Sequence, residues 1–97
     1  DRHSITDEVL MLKAQTLRQL GEFEQALNAL RLINEKYSYD ILADDALYLT
    51  GVILEEDLKK SDEAMKVYND LLTRFKGSIY VAEARNRFRT LRGDFNN

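Results

Sequence analysis

The chain repeats itself. A shift of 38 residues lays Ala26 on Ala64, Tyr37 on Phe75, Ile41 on Ile79 and Ala46 on Ala84, and a shift of 37 lays Leu10 on Leu47, Ala14 on Gly51 and Leu17 on Leu54. The change of shift means that one extra residue sits in the connection between Glu55 and Ser61. Repetition at such an interval is the signature of a supersecondary unit that cannot bury its apolar face alone and does so against the next copy. In 97 residues there is room for about two and a half copies, so the molecule is expected to be one stacked array with a continuous core.

Within each copy the apolar residues keep a helical period, and no stretch alternates with the period of two that a strand requires. Five helices are predicted. The first covers about 5–20, with Leu10, Ala14, Leu17 and Leu20 on one stripe, Ser4 or Thr6 as N-cap, Asp7 and Glu8 near the positive end of the dipole, and Gly21 as its stop. The second, about 23–36, carries Phe23, Ala26, Leu27, Leu30 and Ile33. The third, about 40–57, is expected to be capped by Asp40 and has Gly51 in its interior. A mid-helix glycine costs about 1 kcal/mol relative to alanine, so close approach of a partner is the reason to keep one there. Ser61 opens the fourth helix, whose buried side is Ala64, Tyr68, Leu71, Leu72 and Phe75. Gly77 and Ser78 separate it from a fifth helix, about 78–92, with Val81, Ala84, Phe88 and Leu91 on a single narrow stripe.

These residues resemble the tetratricopeptide repeat family, a helix hairpin with small residues at the crossing and a bulky one beside them. Ala14 and Gly51 stand at the small position of the first helix, Ala26 and Ala64 at that of the second, and Leu30 and Tyr68 at the bulky position that follows. The resemblance implies an all-α fold in which antiparallel hairpins stack as a right-handed solenoid: one repeat over 5–39, a second over 40–77, a half-repeat capping helix over 78–92, and frayed termini at 1–4 and 93–97. The chain departs from the family in its 37 to 38 residue period, its lack of tryptophan, and Ser38 and Lys76 where proline usually ends the second helix. Residues 37–46 and 74–85 are similar to repeats of bacterial envelope proteins such as the TolA-binding protein and outer-membrane assembly lipoproteins. That likeness implies a periplasmic or outer-membrane-attached parent, with a cytoplasmic adaptor as the alternative. The absence of an initiator Met before Asp1 is expected of a processed product or of a piece excised from something longer.

In this family the first helix of each unit lines a concave wall, and the resemblance places Glu8, Met11, Leu12 and Gln15 of the first helix there. Asp45, Tyr48, Leu49, Val52 and Glu55 follow from the third helix, and Glu83, Asn86, Arg87 and Thr90 from the fifth. Apolar patches with charges at their rim suit a peptide or a partner helix, with Met11 adaptable and Tyr48 an anchor. Two readings stay open for Met11, Leu12, Tyr48 and Leu49: contact with a partner, or packing between neighbouring first helices. The family's chaperone-binding members grip a carboxylate with lysine and asparagine. Met11, Gln15 and Leu49 stand at those positions here, and only Arg87 is cationic, which argues against that activity.

Composition narrows the function classes. A net charge of −3 and a pI near 5.1 argue against nonspecific nucleic-acid binding, which needs a basic field. The four arginines Arg85, Arg87, Arg89 and Arg92 read as the solvated face of an end helix. With no cysteine there is no thiolate nucleophile or zinc-thiolate site. The only histidine, His3, lies at the terminus, and no phosphate-binding loop is present, so neither catalysis nor a cofactor is expected. The acidic run Glu55, Glu56 and Asp57 lacks the glycine-centred loop of a calcium site and reads as a solvated turn paired with Lys59 and Lys60. Arg92, Gly93 and Asp94 spell an integrin-binding tripeptide, but the glycine falls where a helix ends. No membrane-spanning segment is present. The expectation is a non-enzymatic scaffold for a protein or peptide partner; the competing reading is an architectural cap of a longer solenoid or a self-association module.

Overall fold

Helix α1 runs from Arg2 to Gln19, followed by α2 (Phe23–Lys36), α3 (Ala43–Val52), a π-helical segment (Ile53–Asp57) continuous with α3, α4 (Ser61–Arg74) and α5 (Val81–Arg92). They are seen in a computed structural model that describes residues 2–36 and 42–93, with side chains from 6 to 35 and from 42 to 93. Every described element is helical, as the period required. The starts differ from expectation. Because α1 begins at Arg2, Ser4 and Thr6 lie inside it rather than capping it, and Asp7 is a buried residue of its second turn. Asp40 lies outside the described residues; α3 opens after Leu42 with no side-chain cap. Ser61 is already helical, and Lys60 stands at the cap position with its carbonyl accepting the Ala64 N–H. Helix α5 begins three residues later than predicted, because Ser78 folds into a turn in which its Oγ accepts the Tyr80 N–H.

Each helix packs on the next in the chain, α1 on α2, α2 on α3, α3 on α4 and α4 on α5. The resulting slab measures 49 × 30 × 17 Å. Two layers of helices about 8–10 Å apart span roughly that smallest dimension, so the array is two helices thick. The repeat holds at the backbone: Ala26 N donates to Glu22 O at 3.0 Å as Ala64 N does to Lys60 O at 2.9 Å, and Ala46 to Leu42 at 2.9 Å as Ala84 to Tyr80 at 2.8 Å. It holds in the core as well, where Ala26 and Ala64, Leu30 and Tyr68, Ile33 and Leu71, and Ala46 and Ala84 are all fully buried. Two core clusters, one around Leu30, Ile33 and Ile53 and one around Tyr68, Leu71 and Ala84, are joined by Leu27 and Leu58, which pack against both.

The glycine in α3 is there for Tyr68. A Cβ on Gly51 would fall 2.8 Å from Tyr68 Cδ1, closer than real side chains approach. The close partner is therefore the ring crossing over Gly51.

Candidate functional site

Met11 and Gln15 are one turn apart on α1, and Asp45, Tyr48 and Leu49 are one turn apart on α3, so each helix presents a narrow strip to the same side. Those strips meet, with Leu42 and Tyr80 closing the ends, around a cavity of about 290 Å³. Leu42 and Tyr80 precede α3 and α5 and stand at the same place in the repeat, one shift of 38 apart. The Tyr48 and Tyr80 rings stack with centroids 4.5 Å apart and planes 10° from parallel. A hydrogen bond to Asp45, joined by burial, pushes the Tyr80 hydroxyl up to about 12. Asp44, next to it, is used by the scaffold: its Oδ2 accepts the Ser78 hydroxyl at 2.5 Å and its Oδ1 the Asp45 N–H at 3.0 Å.

Beside the cavity runs a chain of charges. Arg18 Nε donates to Asp57 Oδ2 at 2.6 Å, and its Nη2 lies 3.3 Å from Glu56 Oε1. Arg87 Nη1 donates to Glu56 Oε2 at 2.9 Å and Glu55 Oε1 at 3.0 Å, and its Nε to Glu83 Oε1 at 3.2 Å. The same Glu55 oxygen accepts the Tyr68 hydroxyl at 2.7 Å. Partial burial pulls the Arg87 guanidinium down, but the bonds to Glu56 and Glu55 outweigh it and hold the pKa above its ordinary value. Burial and the bond to Glu55 push Tyr68 up in turn. The three consecutive acids of the π-helical segment thus tie α1 to α5. They are not the solvated turn that was expected. Glu55 and Glu56 face Arg87 and Arg18 rather than Lys59 and Lys60, and Lys60 approaches Glu24 and Glu63 at 3.7 and 3.9 Å.

Of the residues expected on the wall, Met11, Gln15, Asp45, Tyr48 and Leu49 converge on the cavity. Glu55 and Arg87 face each other in the charge chain, where Arg87 also lies 5.9 Å from the Tyr48 ring centre. Val52 is only 7% exposed and offers a partner almost no surface. Leu12 is 64% exposed and does not line the cavity. Asn86, Thr90 and Glu8 are exposed on their helices. Met11 and Leu49 pack partly on the first core cluster and Tyr48 on the second, and all three also line the cavity, so packing and an open side fall on the same residues.

Leu42, Tyr80 and Arg18 were missed. The first two fall inside the helices predicted over 40–57 and 78–92 but stand just before α3 and α5 in the structure, and the 38-residue shift that pairs them is the signal that could have found them. Arg18 meets its acids 38 and 39 residues away, a pairing that no local spacing announces. Among the described residues no group of His, Cys, Asp or Glu is placed to hold a metal ion, and no helix is long and apolar enough to cross a membrane.

The sequence profile of a family described as tetratricopeptide repeat matches residues 8–38 and 45–78. No curated protein and no solved structure matches the chain.

Proposed function

The chain belongs to the tetratricopeptide repeat family, whose repeats generally mediate protein–protein interaction, and from that premise we propose that it holds a peptide or a partner helix against the face formed by α1, α3 and the start of α5. The observation that carries this reading is the convergence of Met11, Gln15, Asp45, Tyr48 and Leu49, from two repeats, on one cavity. Ligand sites are concave and mostly apolar, with a few polar groups that fix orientation, and this cavity has that make-up. At about 290 Å³ it admits a side chain or two, which suits the anchor of a longer ligand lying along the slab.

The test is selection of binders from a random dodecapeptide library, followed by amide chemical-shift mapping of the best synthetic peptide. Shifts concentrated at Met11, Gln15, Asp45, Tyr48 and Leu49 are expected. An absence of binders, or shifts confined to the α2 and α4 side, would leave the architectural-cap reading in its place. We place the unit within a larger envelope protein on the likeness of residues 37–46 and 74–85 to repeats of that kind. Fractionation of cells carrying the native gene product should then find it outside the cytoplasm, and recovery with cytoplasmic proteins would overturn the placement.

A further inference from the structure

The cavity beside Tyr48 and Tyr80 has a definite electrostatic character. Among the described residues that line it, Asp45 is the only charged one. Asp44 adds its negative charge at the Tyr80 hydroxyl, while at the Tyr48 hydroxyl Arg87 is the foremost charge and Glu83 and Glu56 oppose it. Arg87 is held by Glu55, Glu56 and Glu83 and is not among the described residues that line the cavity, which it touches only through Tyr48.

We propose that this cavity receives a lysine or arginine side chain of the bound peptide, its aliphatic stem against Met11, Leu49 and the tyrosine pair and its charged head on Asp45. The inference rests on the concave-face reading above and adds the chemistry of the anchor. An ionised carboxylate offers about four lone-pair positions, and the Tyr80 hydroxyl takes one of them, so a ligand ammonium or guanidinium finds acceptors free. Lysine and arginine also match the lining along their length, because their stems bury on apolar surface while the head stays polar. A purely apolar anchor would cover Asp45 without bringing a counter-charge, and burying a charge that no opposite charge faces is costly. A ligand carboxylate would face a field of its own sign. The site is thus opposite in sign to the carboxylate grip of the chaperone-binding repeats.

The decisive experiment takes the dodecapeptide selected above and measures its Kd with the basic residue intact, with norleucine in its place, and against Asp45→Asn protein. Asparagine keeps an acceptor for Tyr80, and the norleucine exchange leaves the protein untouched, so a folding defect cannot imitate the result. The expected outcome is that selected peptides share a lysine or arginine, that each change alone weakens binding about tenfold, as loss of one charge-assisted contact does, and that the two together add little more. If the peptide maps to this face yet binds equally well with norleucine, the cation site is overturned while the concave-face reading stands. If no peptide binds, or all bind elsewhere, both fall.

Discussion

Gly51 and Tyr68 solve at one crossing the problem that Ala14 and Leu30 solve at the other. Both pairs are buried, and the larger side chain of the second repeat is matched by the smaller partner. Interiors are packed to crystal-like density, so the volume added by the ring has to be removed from the residue beneath it. Gly51→Ala should therefore destabilise the protein by up to about 2 kcal/mol: overpacking costs about 1–3, and alanine's better helix propensity returns about 1. Tyr68→Leu on its own should also destabilise, by opening a void and leaving Glu55 without the hydroxyl it accepts. The double variant recreates the pair of the first repeat, so thermal melts should show it less destabilised than the sum of the singles. Strict additivity would mean that the ring does not press on Gly51 at all.

At the scale of elements, the extra residue of the second repeat can be traced to one turn. In the first hairpin α1 ends with Glu22 N donating to Leu17 O at 2.8 Å and Gly21 N to Arg18 O at 3.0 Å, with Gly21 at φ 80°, the glycine-ended helix stop. The second hairpin closes the matching loop from Lys60 N to Leu54 O at 2.7 Å, one residue longer. The surplus is absorbed by the π-helical segment, where Leu58 N reaches back to Ile53 O at 3.0 Å. The one-residue slip from 37 to 38 announced this insertion in the sequence, and the helices themselves followed from apolar period and glycine stops. What the slip could not say is whether a loop or a helix would take the extra residue. Lys59 stands where Gly21 does and is forced to φ 56°, which is unfavourable for a residue with a Cβ. Lys59→Gly should relieve about 0.5–1 kcal/mol after glycine's own entropy is counted, and scanning calorimetry should find the melting temperature raised by roughly 2–6 °C. A lower melting temperature would show that the left-handed turn carries no strain.

For the molecule as a whole, the question is what keeps its ends in register, since a solenoid makes contacts only between neighbours. The charge chain answers this by crossing from α1 to α5 through the π-helical segment, spanning 31 to 39 residues of sequence. It could not be read beforehand, because acids and arginines are common on any helical surface and only the stacking decides which of them meet. Met11, Gln15, Asp45, Tyr48 and Leu49 were named on the resemblance to the repeat family, and what the structure adds is that these five line one cavity. Arg87 is the node, three-quarters covered and held by three carboxylates. Arg87→Met keeps much of the stem but leaves Glu55, Glu56 and Glu83 facing one another. The loss should exceed that of an exposed pair and fall short of a fully buried one, about 1–2 kcal/mol, seen as a lower urea midpoint at unchanged slope. Salt separates charge from packing. In about 1 M NaCl the screening length falls to roughly 3 Å, so the wild type loses part of its attraction while the variant is relieved of part of its repulsion. The two midpoints should therefore converge. A gap that salt leaves untouched would assign the role of Arg87 to the contact of its guanidinium plane with the Tyr48 ring instead, and the two ends of the array would then be joined by contact alone.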